Sequence, residues 1–282
     1  MKRIAVLALA LCFSTLAVAS DFFGEKELTA SQIVEKNVAA RGGLEAWRKI
    51  QSMVWVGHIE SANAPAPSLP FVLEMKRPNR TRFEIRLQNQ TSIRMYDGTR
   101  GWKLRRASQG KPQVQPYTPE ELNFARDAQV IDGLLVDYQE KGAAVVLDGV
   151  DDVDGHKAYR LNVTLPSGVS HHVWIDARTF LDVKYDRKSY NAVGQTAILS
   201  VNYRNFKTIG GLQIPLVIET HAEIAKATDR MLIDNVTLNP QLEDRDFTPD
   251  TPERMTGRNN LRATKSPGFQ QRQSVAGYRE AQ

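Results

Sequence analysis

The chain has 282 residues, 41% of them hydrophobic and 24% charged, with a formal net charge of +5. That composition allows one large core, and the charge is too mild to point to nucleic acid. A single cysteine, Cys12, excludes an internal disulfide, so stability rests on an ordinary packed core.

Met1-Lys2-Arg3 is a short basic start, and an apolar run follows from Ile4 to Leu11, fading by Val18. Ala17-Val18-Ala19 places small residues where a signal peptidase reads them, so residues 1–19 are expected to be a cleaved signal peptide and Ser20 the new N-terminus. The run is too short for a spanning helix, and no later segment is apolar enough for one. Leu11 rather than a small residue precedes Cys12, which argues against a lipid-attachment cysteine. Loss of Lys2 and Arg3 with the signal takes the charge from +5 to +3. Export to the periplasm is the expectation.

Leu28-Thr29 opens the first predicted helical segment, 29–50. Thr29 and Gln32 have capping-box spacing, with Leu28 and Ile33 as the flanking staple. Ile33, Val34 and Val38 form one apolar stripe, Gly42-Gly43 interrupts it, and Leu44, Trp47 and Ile50 resume it. From Ser52 the period changes to two. Met53, Trp55 and Ile59 alternate with more polar residues, then a Pro/Ala loop runs from Ala64 to Pro70. Phe71, Leu73 and Met75, then Phe83, Ile85 and Leu87, then Ile93, Met95, Trp102 and Leu104 continue as hairpins divided by Arg77-Pro78-Asn79 and Asp97-Gly98.

A second helical segment, 118–141, interrupts the strands. Thr118 caps it, Pro119 takes its first position and Glu121 closes the box. Val130, Ile131, Leu134, Leu135 and Tyr138 keep helical spacing across Gly133. Seven strands follow between Ala144 and Leu238. From Thr251 apolar periodicity ends and Gly, Ser, Gln and Arg dominate. Residues 253–282 are therefore read as a basic disordered tail, and 20–252 as one domain. The fold expected is mainly β (α+β): one curved antiparallel sheet whose apolar face is covered by the two helical segments.

Chemistry-bearing motifs are scarce. His171 and His172 are neighbours on a predicted strand and point to opposite faces, and His58, His156 and His221 lie apart. Asp148, Asp151, Asp152 and Asp154 miss the EF-hand spacing and read as a solvated hairpin turn. No phosphate loop, nucleophile elbow or His-Glu-x-x-His helix is present, and Glu120-Glu121 suits a helix's first turn. The expectation is no metal, no cofactor and no catalytic residues. An envelope hydrolase whose carboxylates carry no signature stays open as a rival. What stands out is an alternating apolar set: Trp55, Phe71, Leu73, Met75, Phe83, Ile85, Met95, Trp102 and Leu104. Aromatics and methionines suit a surface for greasy ligands, or simply a core under the helices; residue types alone lean to the core.

Lys76-Arg77-Pro78-Asn79 at one strand junction, Tyr96-Asp97-Gly98 with Trp102 behind it, and Asp246-Phe247-Thr248-Pro249 after the last strand come in an order that resembles the LolA-like periplasmic lipoprotein-sorting family, across about Thr29 to Pro252. The resemblance implies an incomplete antiparallel β-barrel, of about 11 strands, whose mouth is closed by helices. It implies a cavity for lipoprotein acyl chains or another lipidic ligand, with an inner-membrane transporter and an outer-membrane acceptor as partners. The nine apolar residues above are then the cavity lining, and Ile33, Val34, Val38, Ile131, Leu134 and Leu135 the lid. It also implies an arginine that locks the lid, for which Arg80, Arg82, Arg86 and Arg94 are on offer. The Pro/Ala loop and the long tail depart from the family. A sensor or adaptor of the same fold, with a filled core, is the main alternative.

Overall fold

The computed structural model describes residues 27–61, 66–88, 90–107, 111–128, 131–190, 196–222 and 227–249. The expected signal peptide (1–19), Val130 and the tail (253–282) lie outside these residues. Among them, no helix is long and apolar enough to cross a membrane.

Two short helices come first, α1 (Ala30–Ala40) and α2 (Leu44–Arg48). Both halves of the Thr29–Gln32 capping box are formed. Gly42 and Gly43 take φ of 114° and 91°, values that favour glycine, and the helix breaks there. The break docks on the sheet, where Gln213 N donates to the Arg41 carbonyl at 3.0 Å.

Among the described residues, thirteen strands then form one antiparallel sheet. The first meander is β1 (Ser52–Ser61), β2 (Leu69–Lys76), β3 (Arg80–Leu87), β4 (Gln90–Tyr96), β5 (Gly101–Ala107) and β6 (Gln113–Pro116). The second is β7 (Ala144–Val153), β8 (His156–Thr164), β9 (Ser170–Asp176), β10 (Asp182–Tyr190), β11 (Thr196–Ile209), β12 (Leu212–Ala222) and β13 (Ala227–Leu238). The first runs from the centre out to one edge, the second from the other edge in to the centre, and pairing of β1 with β13 joins them, which leaves β6 and β7 as the two edges. The sheet is thus an open barrel. Two more strands are present than the expected eleven or so. One is β6, whose four residues are all exposed and show no apolar alternation to read. Leu69 and Pro70 belong to β2 rather than to the Pro/Ala loop.

This topology explains the cover. The chain leaves one edge at β6 and must reach the other edge at β7, so the connection crosses a face of the sheet. Helix α3 (Pro119–Asp127) begins that crossing, with Thr118 and Glu121 forming their box. The predicted helix to 141 does not continue. Residues 131–142 are turns, with Gly133 at φ 77° and Asp137 at φ 52°. Two left-handed residues four apart end helical geometry, although the apolar side chains still point inward. Ile33, Val34 and Leu135 pack with Leu161, Val163, Val173 and Ile175 under α1. Trp47, Ile50 and Ile131 pack with Met53, Met75, Leu212 and Ile214 under α2.

The register corrects one expectation. Trp55 stands opposite Leu73, Leu73 opposite Phe83, and Phe83 opposite Arg94. Met95 stands opposite Arg82 and Trp102. The nine apolar residues therefore do not share a face. Trp55, Phe71, Leu73, Met75, Phe83 and Ile85 face the cover, whereas Met95, Trp102 and Leu104 lie on the other side with Ile93. Pairing of Leu87 with Gln90 across a two-residue turn sets this phase, because a one-residue slip exchanges the faces of a strand. On that far side Arg82, only 2% exposed, lies 2.7 Å from Glu84 and 3.6 Å from Glu74.

The acidic stretch is corrected as well. Asp148, Asp151 and Asp152 are in β7 itself, and only Asp154-Gly155 forms the turn. Arg160 holds Asp148 at 2.9 Å and Asp151 at 2.8 Å, and Asp151 also accepts the Trp174 indole N–H at 2.7 Å.

Candidate functional site: a covered cavity with a polar wall

A cavity of about 310 Å³ lies between the crossing connection and the middle of the sheet. Its roof is Phe124, Asp127 and Ala128 of the α3 end, Ile131 and Gly133 to Leu135 of the turns, and Arg41 and Trp47 around the helix break. Its floor comes from five strands of the sheet. Trp55 is on β1, His171 and Val173 on β9, Asp182, Tyr185 and Arg187 on β10, Tyr203 and Phe206 on β11, and Ile214, Pro215 and Ile218 on β12. The size falls at the low end of ligand pockets, which run roughly 300–1,000 Å³. A more open groove of about 540 Å³ lies at the strand ends, lined by Arg80, Asp97, Thr99, Arg100, Asp244, Arg245 and Thr248. Its Arg80 is already paired with Asp244 at 3.3 Å and its Arg245 with Glu243.

Most of the covered cavity is apolar, and the polar groups gather on β9 to β11. Burial pushes the His171 imidazole below its ordinary pKa, so it is neutral at physiological pH. Its ring tilts against Tyr185 at 5.2 Å between centroids. Burial pushes the Tyr185 phenol up to about 12 and that of Tyr203 upward too, so both hydroxyls keep their protons. Arg41 lies 3.3 Å from Asp182 and 4.6 Å over the Trp47 ring.

The cover is held by ionic contacts that reach in from its surroundings. Asp132, 2% exposed, accepts from Arg77 at 2.6 Å and from Lys141 at 2.7 Å. Its main-chain carbonyl accepts from Arg41 at 3.0 Å. Arg77 also donates to the carbonyls of Ile50 and Trp47, at 2.7 and 3.2 Å, and so ties α2 to the same point. Helix α3 is held separately by Glu121, which lies 2.6 Å from Arg94 and 3.0 Å from Lys103. Of the four arginines on offer as a lock, Arg94 reaches the cover. Arg80 and Arg82 pair with Asp244 and the Glu74/Glu84 pair, and Arg86 with Glu84.

The predicted site residues divide as follows. Trp55 of the nine lining residues borders this cavity. Phe71 and Met75 are buried at 1%, Leu73 packs beside Met53, and Phe83 tilts on Phe71 at 5.8 Å. Of the six lid residues, Ile131, Leu134 and Leu135 form the roof, while Ile33, Val34 and Val38 pack beside it. Sequence reading missed the polar wall. The signal was present in Tyr185 and Arg187, two apart on β10 and therefore on one face of it. Among the described residues, no group of three or more His, Cys, Asp and Glu could hold a metal ion.

No protein-family model matches the sequence, and a comparison with curated proteins finds no match either. Solved structures do match the fold. A DUF1329 family protein from Desulfovibrio piger superposes with a TM-score of 0.51 at 14% identity, over 78% of this chain and 97% of that one. A LolA superfamily protein from Nitrosomonas europaea gives 0.49 at 17% identity, over 79% and 99%. An outer membrane lipoprotein-sorting protein domain from Vibrio parahaemolyticus gives 0.41 at 12%, over 77% and 94%. The fold is shared with the first of these. The other two are looser likenesses.

Proposed function

We propose that this chain is a cell-envelope carrier that sequesters a lipoprotein acyl chain or another lipidic ligand in the covered cavity, without covalent chemistry. The observation that carries the reading is an apolar cavity roofed by the crossing connection, which is pinned to the fold at Asp132 and Glu121. Lifting that roof means breaking those polar contacts and the packing of Ile131 and Leu135, while the sheet beneath keeps its ladder. Each methylene removed from water contributes about 0.8 kcal/mol, so a chain of several carbons outweighs its ordering cost. The signal-like N-terminus supports a periplasmic setting for this carrier. There it would accept cargo from an inner-membrane transporter and deliver it to an outer-membrane acceptor.

Titration of the purified protein with a fluorescent acyl probe tests this, read by emission from Trp47 and Trp55. Saturable binding that a roof variant, Leu134→Asp, weakens is the expected outcome. Non-saturating partition, or binding indifferent to Leu134, contradicts it.

A further inference from the structure

The polar wall says which end of a ligand the cavity receives. Its charged groups are Arg41, Asp182, Asp127 and Arg187. Arg41 and Asp182 are paired at 3.3 Å, with side chains only 11% and 13% exposed. Asp127 accepts the Ser167 hydroxyl at 2.7 Å. Arg187 differs: its guanidinium lies 4.4 Å over the Phe124 ring, and no carboxylate among the described residues stands within ion-pair distance. Burial holds its pKa below the usual arginine value.

A guanidinium partly withdrawn from water and without an anion is costly to keep, and an acceptor with two oxygens would relieve that cost. Arg187 sits two residues beyond Tyr185 on β10, opposite Leu199 of β11, so it shares the cavity-facing side with Tyr185 and Tyr203. Both phenols keep their protons and can donate alongside the guanidinium. Neutral His171 adds no opposing charge. The apolar remainder of the wall, Leu134, Val173 and Ile218 among it, suits a hydrocarbon chain.

We propose that the cavity selects a single-chain lipid with an anionic oxygen head, carboxylate or phosphate, and that Arg187 binds the head with Tyr185 and Tyr203 beside it. This rests on the carrier reading above and narrows its ligand class. Hydrogen bonds to a charged group are strong enough that head recognition should separate anion from neutral analogue by about tenfold or more in Kd.

Isothermal titration of the full chain with sodium dodecanoate, dodecyl phosphate and methyl dodecanoate is the test, run on wild type, Arg187→Gln and Arg187→Met. Melting curves establish that the variants fold, and methionine preserves the packing against Phe124. The expected result is tighter binding of at least one anion than of the ester by wild type. Both variants should then bind that anion no better than the ester, with ester affinity unchanged. The tighter anion names the head. Equal wild-type affinity for anions and ester, or a preference that survives both substitutions, overturns the assignment to Arg187. Binding of none of the three by wild type removes the carrier reading and this one with it.

Discussion

Replacing Asp132 by alanine removes the carboxylate that binds both Arg77 and Lys141. Both contacts are short, 2.6 and 2.7 Å, and the Asp132 side chain is 3% exposed, against 26% for Arg77 and 18% for Lys141. Removing one partner of a buried ion pair costs about 3–5 kcal/mol, since the remaining charge is left uncompensated. Here the lower end applies. Arg77 keeps the Ile50 and Trp47 carbonyls, and Lys141 keeps the Gly133 carbonyl at 2.9 Å. Arg41 is untouched because it binds the main chain of residue 132. The expected loss is thus about 3 kcal/mol in urea denaturation, with little change in slope. Asp132→Asn should lose nearly as much, because its amide turns a donor toward one of the two cations. A loss below about 1 kcal/mol, the value of an exposed pair, would refute the pinning role.

Acid sensitivity should trace in part to His171. Its folded pKa lies below its unfolded value of 6.5 because burial disfavours the charged ring. The unfolded chain therefore binds the proton more readily between the two values. Stability is fully present above the unfolded pKa and is lost as pH falls toward the folded one. His171→Phe should flatten melting temperature against pH between about 7 and 5; an unchanged slope would show that other groups carry it. Gly57→Ala tests the seam between the two meanders. At that position a β-carbon would strike the Leu232 carbonyl, and β1 has a bulge between Val56 and Gly57. A loss of about 2–3 kcal/mol is expected in the same denaturation assay, and a loss under about 0.5 would deny the close approach.

Local signals were legible wherever one or two residues decide the backbone. Thr29 with Gln32, and Thr118 with Glu121, mark helix starts because their side chains satisfy N–H groups that the helix leaves open. Asp97-Gly98 marks the turn between β4 and β5, where Gly98 takes a φ of 101°. Facing was less legible, because it depends on turn length. Met95, Trp102 and Leu104 are as apolar as Phe83, yet the turn after Leu87 places them on the far side. Ile131, Leu134 and Leu135 have helical spacing and are inward-facing, but Gly133 and Asp137 deliver them by turns. The polar wall stayed hidden for a third reason. Nothing local brings Arg41, Asp182 and Tyr203 together; the sheet order and the crossing connection do.

Saturable occupancy of the covered cavity by an acyl chain is the central claim, and equilibrium titration with a fluorescent acyl probe addresses it most directly. Trp47 and Trp55 line the cavity, so their emission should change in step with the probe signal. The expected curve saturates at one probe per chain, and unlabelled dodecanoate should displace the probe. Leu134→Asp, which puts a charge in the roof, should weaken binding while the fold is kept. A signal that rises without saturation, or resists displacement, or is unaltered by Leu134→Asp, would contradict the account.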